Sequence, residues 1–352
     1  MRVIMVGCGR IAQIAHLVAV GRVDSVELVA VVDPSATLGA AVARQWGGVP
    51  SFTDAASAYA AVPADAVILA VPDRMHAPLA VDAMEAGLHV LVEKPLAGTV
   101  GDALAMQQVA ATTGRVLRVG NMRRHDPGVI RARQAAAEEI GEIVSFTAWY
   151  RASAFGSDEF WHPILKDPAI STLEAGFKSD KDRYWPFTYG SHLWDTVRYV
   201  VGDVAAVTTG FHRTGSSASW QSLVELPGGV FGTTDLTCYE HGNGGEGVRV
   251  LGTEGVVTVE LHNPFLWQGA DVAVHTDADR SYRVSPVTDA NAYELQLRSF
   301  EAAVAAASGD MDAVASVERW GRGATPEDGL ATVRLIEATR ESAASGQRVV
   351  LS

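Results

Sequence analysis

Gly7-Cys8-Gly9-Arg10-Ile11-Ala12 follows the apolar run Arg2–Val6 and opens the helically patterned stretch Arg10–Val20, which Gly21 ends. In a strand–turn–helix of this kind the first glycine permits the tight turn. The second lets the backbone approach a pyrophosphate, and a small third residue, here Ala12, lets the helix pack closely on the strand. The helix start then offers N–H groups and a positive dipole end to phosphate oxygens. Gly7, Gly9, Arg10, Ile11 and Ala12 are therefore candidate nucleotide contacts. A second apolar run, Glu27–Val32, ends at Asp33, about 20 residues past the turn, where a carboxylate accepts hydrogen bonds from ribose hydroxyls. A plain glycine turn with a helix-capping Asp is the rival explanation, but the combination favours a dinucleotide. Asp33 repels a 2′-phosphate, and Pro34-Ser35-Ala36 supply no Arg to hold one, so NAD is expected over NADP.

Outward from this unit the same alternation continues. Ser35–Trp46, His76–Ala86 and Thr99–Thr113 read as helices with Gly47, Gly87 and Gly114 just past their ends, between apolar runs at Ala66–Val71, His89–Val92 and Arg115–Val119. Strands apolar throughout, separated by helices, predict a doubly wound parallel sheet over residues 1–120. After Asn121 the texture changes. A helix, Val129–Glu139, precedes the alternating run Glu142–Arg151. Runs at Ala205–Phe211, Ser222–Leu226, Val230–Cys238, Val248–Leu251, Val256–Leu261 and Val272–His275 are joined by Gly-rich turns. That pattern predicts a second α/β domain, residues 121–352, with a large, open, mostly antiparallel sheet. Helices at Tyr293–Ala307 and Pro326–Ala344 close the chain. Ala152–Phe187 fits neither pattern. Its 36 residues hold seven aromatics, far above the chain's 7%, and a loop of that length is normally functional or an interface.

The length, 352 residues, suits two domains, and 48% hydrophobic content supports sizeable cores. A net charge of −13 argues against nucleic acid or an anionic membrane as partner. Two cysteines, Cys8 and Cys238, make neither a disulfide framework nor a four-thiolate zinc site, which fits a reducing cytoplasm. The apolar stretch Val3–Gly7 is too short for a signal peptide, and no apolar run reaches the ~18 residues that span a bilayer. His192 and Asp195 could be metal ligands, but no third ligand is evident, and no metal is expected.

Lys94, in Glu93-Lys94-Pro95, stands just after the fourth strand, on the side of the sheet where ligands bind. Several motifs together resemble the Gfo/Idh/MocA family of NAD(P)-dependent oxidoreductases, which includes inositol dehydrogenase and glucose–fructose oxidoreductase. They are the glycine turn, Val71-Pro72-Asp73 with His76, and the run Ala86–Pro95. To these are added Gly120–Pro127, Gly190-Ser191-His192 with Asp195, and Glu337–Ala343. The resemblance covers nearly the whole chain except Ala152–Phe187. It implies a Rossmann domain followed by an α/β domain whose open sheet face often forms a subunit interface, hence a homodimer or homotetramer.

The resemblance further implies that Pro72, His76, Glu93 and Lys94 line the cofactor. Lys94 would hydrogen-bond the reacting oxygen, and His192 would exchange the proton. The chemistry agrees: oxidising an alcohol removes a proton as the C–H bond breaks, an ammonium stabilises the developing alkoxide, and an imidazole titrates near neutrality. Asp195, one helical turn past His192, could orient the imidazole or bind a substrate hydroxyl. Asn121, Arg123 and Arg124 could meet substrate, or the arginines could form an interdomain salt bridge. Inositol dehydrogenase-like members carry an Asp four residues before the catalytic His; here that residue is Thr188. The aromatic segment would replace the lost specificity, with Trp161, Tyr184 and Trp185 as substrate contacts or as an interface. The expected activity is hydride transfer between NAD and a sugar, polyol or glycoside. Two alternatives stand beside it: an NAD-using glycosidase acting by transient ring oxidation and elimination, and a non-catalytic NAD-binding regulator.

Overall fold

The structure is a computed structural model that describes residues 1–153, 164–169, 176, 178–242, 244–278, 280–310, 312–313 and 321–351. It divides into two compact units. One comprises Met1–Met122, Asp158–Tyr184 and Ala292–Leu330. The other comprises Arg123–Ser157, Trp185–Asn291 and Ala331–Ser352. Among the described residues no helix is long and apolar enough to cross a membrane.

The first unit is built on six strands: β1 (Arg2–Val6), β2 (Glu27–Val32), β3 (Ser51–Phe52), β4 (Ala66–Leu69), β5 (His89–Glu93) and β6 (Leu117–Gly120). Their spatial order is β3-β2-β1-β4-β5-β6, and every pair is parallel. Ile4, Val67 and Val90 are fully buried within one apolar cluster. That double-sided burial is why these strands read as continuous apolar runs. The two-residue β3 is too short to show a pattern and was not expected, nor was the short helix Ala55–Ala61.

Three helix starts in this unit are capped by side chains. Ser35 accepts from Leu38 N, Asp54 from Ser57 N and Thr99 from Asp102 N, each satisfying an N–H that has no partner within its helix. Gly114 ends its helix in the left-handed conformation (φ 66°), as the sequence suggests, whereas Gly21 ends the first helix with right-handed geometry (φ −67°). That first helix is not a plain α-helix: Ala12–His16 forms a π-type turn before Leu17–Val20.

The second unit carries nine strands: β7 (Ile143–Ser153), β8 (Ala206–Thr214), β9 (Ser217–Glu225), β10 (Phe231–Glu240), β11 (Gly245–Gly252), β12 (Gly255–Leu261), β13 (Asp271–Thr276), β14 (Ser281–Ser285) and β15 (Val349–Val350). The order is β14-β13-β12-β11-β7-β10-β9-β8-β15. Only β7 and β10 pair in parallel; the other pairs are antiparallel. Along β10, Gly232, Thr234, Leu236 and Cys238 are buried while Phe231 and Thr233 are exposed. One face is thus covered, by helices that include Pro127–Glu138 and Gly190–Val200. The opposite face shows Leu223 and Phe231 beside a polar row in which Asp235 accepts from Arg151 and Gln221.

Part of Ala152–Phe187 is helical rather than loop: Lys181–Thr188 forms a helix with Pro186 inside it.

Candidate active site

The carboxyl ends of the parallel strands gather the predicted residues of the first unit. Gly7 follows β1 with φ 91°. A Cβ there would lie 2.3 Å from Ala70 O, so no other residue fits the turn without displacing backbone. Asp33 ends β2 and clasps the turn: Oδ2 accepts from Cys8 N and Oδ1 from Ser35 N, both at 2.9 Å. Burial, and then the Asp33 charge, push the Cys8 thiol up to about 12, so it stays protonated and unreactive.

Lys94 follows β5, and its surroundings were not legible in advance. Glu93 is buried; its Oε1 lies 2.9 Å from His16 Nε2, and its Oε2 accepts from Lys94 N at 3.1 Å. His16 comes from the π-type turn and meets the ring of Tyr293 edge-on at 5.4 Å. A π turn changes which side chains face the sheet, so the helical pattern of Arg10–Val20 gave no sign of His16. Burial works to raise the Glu93 pKa, but the His16 bond, with the His16 and Lys94 charges, outweighs it and holds the carboxyl below its ordinary range. Glu93, expected at the cofactor, is thus committed first to His16 and to the Lys94 backbone.

His76 departs from expectation in the same way. Both its ring nitrogens lie against carbonyl oxygens, Nδ1 with Pro95 O at 2.8 Å and Nε2 with Val71 O at 2.9 Å. Burial lowers its pKa below the ordinary histidine value. Its role is to tie together the segments around Pro72 and Lys94. Asn121, just past β6, is next in register to Lys94, because Glu93 pairs with Gly120. A Cβ on Gly120 would sit 3.1 Å from Glu93 Cα, so glycine allows this close approach. The Asn121 side chain is 3% exposed, and its Oδ1 has no hydrogen-bond partner. A buried acceptor left unpaired is costly and marks a place where a ligand's donor would be satisfied.

The second unit holds the other candidates. His192 lies in the first turn of the helix Gly190–Val200, its ring stacked on Tyr150 at 5.7 Å and 10°. Tyr150 stacks in turn on Tyr189, and burial, then the Glu246 charge, raise its hydroxyl pKa far above the usual value. This aromatic stack fixes the plane of the imidazole, and Tyr150 was not foreseen. Thr188 O accepts from Ser191 Oγ at the helix entry.

Asp195 makes a bidentate pair with Arg124, with contacts of 2.8–3.1 Å. The Arg124 guanidinium also lies 5.1 Å from the centre of the Tyr199 ring. Arg123 pairs with buried Glu246 and donates to His262 O. Burial disfavours its charge, but the Glu246 charge and hydrogen bond, with Tyr150 and Asp126, together outweigh that and raise its pKa. Both arginines therefore form ion pairs inside the second unit rather than the expected interdomain bridge. Trp185 is buried against Trp220 and Tyr239, with Arg213 over its ring. It is a core aromatic rather than a displayed sugar platform. Tyr184 takes Lys181 Nζ over its ring at 5.3 Å. Trp161 lies outside the described residues.

A parallel 3-2-1-4-5-6 sheet with a glycine turn after β1 and an aspartate after β2 defines the dinucleotide-binding α/β class. Residues 1–121 match the model of the Gfo/Idh/MocA oxidoreductase family, NAD-binding Rossmann fold. The chain is 40% identical over 127 residues to a 4-carboxy-2-hydroxymuconate-6-semialdehyde dehydrogenase from Sphingobium sp.. That match covers 36% of this chain and 40% of the relative's length. It is 29% identical over 367 residues to inositol 2-dehydrogenase 1 of Saccharopolyspora erythraea, covering 99% of this chain and 96% of that one. Levoglucosan dehydrogenase, solved with NADH, shares the fold with a TM-score of 0.79 at 20% identity, covering 100% of this chain and 99% of that one.

The residues present fit NAD. The turn demands glycine, and the Asp33 carboxylate sits where ribose hydroxyls bind.

Proposed function

We propose that the protein is an NAD-dependent dehydrogenase or ketoreductase acting on a hydroxyl or keto carbon of a sugar, inositol-like polyol or glycoside. The observation that carries this is Lys94, set at the carboxyl edge of a dinucleotide-binding sheet beside the buried Glu93–His16 pair. NAD, when bound, supplies the hydride acceptor or donor. Gly7, Gly9, Arg10, Ile11 and Ala12 hold its pyrophosphate, Asp33 its adenosine ribose. Lys94 donates to the substrate oxygen and stabilises negative charge as it develops. His192, held in plane by Tyr150, takes the hydroxyl proton during oxidation and returns it during reduction. Asn121 and Thr188 bind substrate. In this reading the first unit, which takes in Asp158–Tyr184 and Ala292–Leu330 as well as the expected 1–120, serves the cofactor, and the second serves substrate and assembly. The inositol dehydrogenase relative, aligned over nearly the whole chain, supports the polyol class. With both cysteines buried and unbridged, we place the protein in the cytoplasm.

The test is a panel of inositols, sugars and glycosides incubated with NAD, read by nicotinamide absorbance and product mass. NADH accumulating with an oxidised product supports the dehydrogenase. Glycosidic cleavage without net NADH replaces it with the eliminating glycosidase, and NAD binding without any turnover replaces it with the regulator.

Cofactor choice gives a sharper expectation. NAD binds more tightly than NADP in a fluorescence titration, because Asp33 is anionic and nothing in Pro34-Ser35-Ala36 offers a countercharge. The double substitution Asp33→Ser with Pro34→Arg shifts preference toward NADP. Equal or tighter NADP binding by the unaltered protein contradicts the assignment.

The open face of the nine-stranded sheet, with Leu223 and Phe231 exposed, is proposed as the surface joining copies into a homodimer or homotetramer. Light scattering at micromolar concentration should report two or four chains; a monomer refutes this.

A further inference from the structure

One described stretch of the aromatic segment, residues 164–169, is fastened to the nucleotide-binding loops. Gln13, in the π-type turn, grips the Leu165 backbone from both sides. Its Nε2 donates to Leu165 O at 2.9 Å, and its Oε1 accepts from Leu165 N at 2.9 Å. The same Nε2 donates to Cys8 O at 2.8 Å, within the glycine turn. Two residues on, Asp167 takes the Ser35 hydroxyl on Oδ2 and Ala169 N on Oδ1. Ser35 is also the residue whose N–H bonds to Asp33. Two carboxylates thus share one serine, Asp33 through its amide and Asp167 through its hydroxyl. In this class of fold the aspartate after the second strand meets the ribose hydroxyls, and enzymes that take NADP place an arginine close by for the 2′-phosphate. Here that neighbourhood holds a second acid instead.

We propose that Asp167 is a second determinant of cofactor choice, acting with Asp33 to exclude the 2′-phosphate of NADP, and that Gln13 positions it by holding Leu165. The proposal rests on the reading of the first unit as an NAD site. A phosphate brought beside two carboxylates is repelled by both, and the partly buried setting weakens solvent screening. Removing the Asp167 charge while keeping its acceptor for Ser35 lowers that repulsion. Nothing in the spacing of the sequence joins Asp167 to Asp33; the Gln13–Leu165 clasp, made between residues far apart in the chain, does so.

The experiment measures dissociation constants for NAD and NADP, in the unaltered protein, Asp167→Asn and Gln13→Ala, by tryptophan fluorescence at two salt concentrations. Asp167→Asn keeps the shape and one acceptor oxygen for Ser35, and gives up the bond from Ala169 N. It is expected to tighten NADP on the order of ten-fold while leaving NAD within about two-fold. Raising the salt should narrow the NAD–NADP gap more in the unaltered protein than in Asp167→Asn. Gln13→Ala, which frees the segment, should move the ratio in the same direction. An unchanged ratio in Asp167→Asn overturns the proposal. So does equal tightening of both nucleotides, which would show that the segment merely obstructs the site. A changed ratio in Asp167→Asn with none in Gln13→Ala removes the positioning role of Gln13. Failure of the unaltered protein to bind NAD is a separate result and refutes the cofactor reading itself.

Discussion

Replacing Lys94 with Ala is expected to leave NAD affinity nearly unchanged and to lower turnover on the order of 10²-fold or more. Lys94 follows β5 with its backbone held by Glu93, so truncating the side chain removes the ammonium and leaves that backbone bond in place. His192→Ala should lose turnover to a similar degree, since no other group would take the proton with the same orientation. The Tyr150 ring that stacks on His192 remains packed on Tyr189, so the loss should reflect chemistry rather than collapse of the site. Nucleotide titration and steady-state rates on the active substrate separate the two effects. Near-normal turnover in either variant removes that residue from the mechanism, and lost NAD binding in the Lys94 variant makes it a cofactor contact only.

The parallel sheet was legible because each of its longer strands is buried on both faces and writes that burial into an unbroken apolar run; the glycine turn and Asp33 were legible because their backbone chemistry admits few residues. The second sheet was legible through its alternation, since covered and open faces demand different side chains at every second position. What escaped depends on contacts that no local pattern encodes. His16 reaches Glu93 only because a π-type turn interrupts the first helix. Arg123 finds Glu246, and Arg124 finds Asp195, across long separations in the chain. The aromatic content of Ala152–Phe187 suggested a sugar platform or a subunit interface. For Trp185 it reflects packing against Trp220 and Tyr239, an outcome that composition alone cannot separate from ligand stacking.

Asp195 shows how a long-range pair changes the meaning of a motif residue. Its position one turn past His192 suggested a direct role in chemistry, yet its carboxylate is bidentate to Arg124 and both side chains are buried. Asp195→Ala should therefore strand a buried guanidinium and destabilise the protein by about 3–5 kcal/mol, read as a fall in the denaturant midpoint of unfolding. Substituting both partners, Arg124→Met with Asp195→Leu, removes the stranded charge and should restore most of that stability, because apolar side chains can replace a buried pair at little cost. The same double variant decides the functional question. Regained stability together with regained turnover makes the pair a support for the helix that carries His192. Regained stability without turnover, and with a higher KM, gives Asp195 a direct part in holding substrate. A single variant as stable as the unaltered protein would contradict the burial argument on which both readings of Asp195 depend.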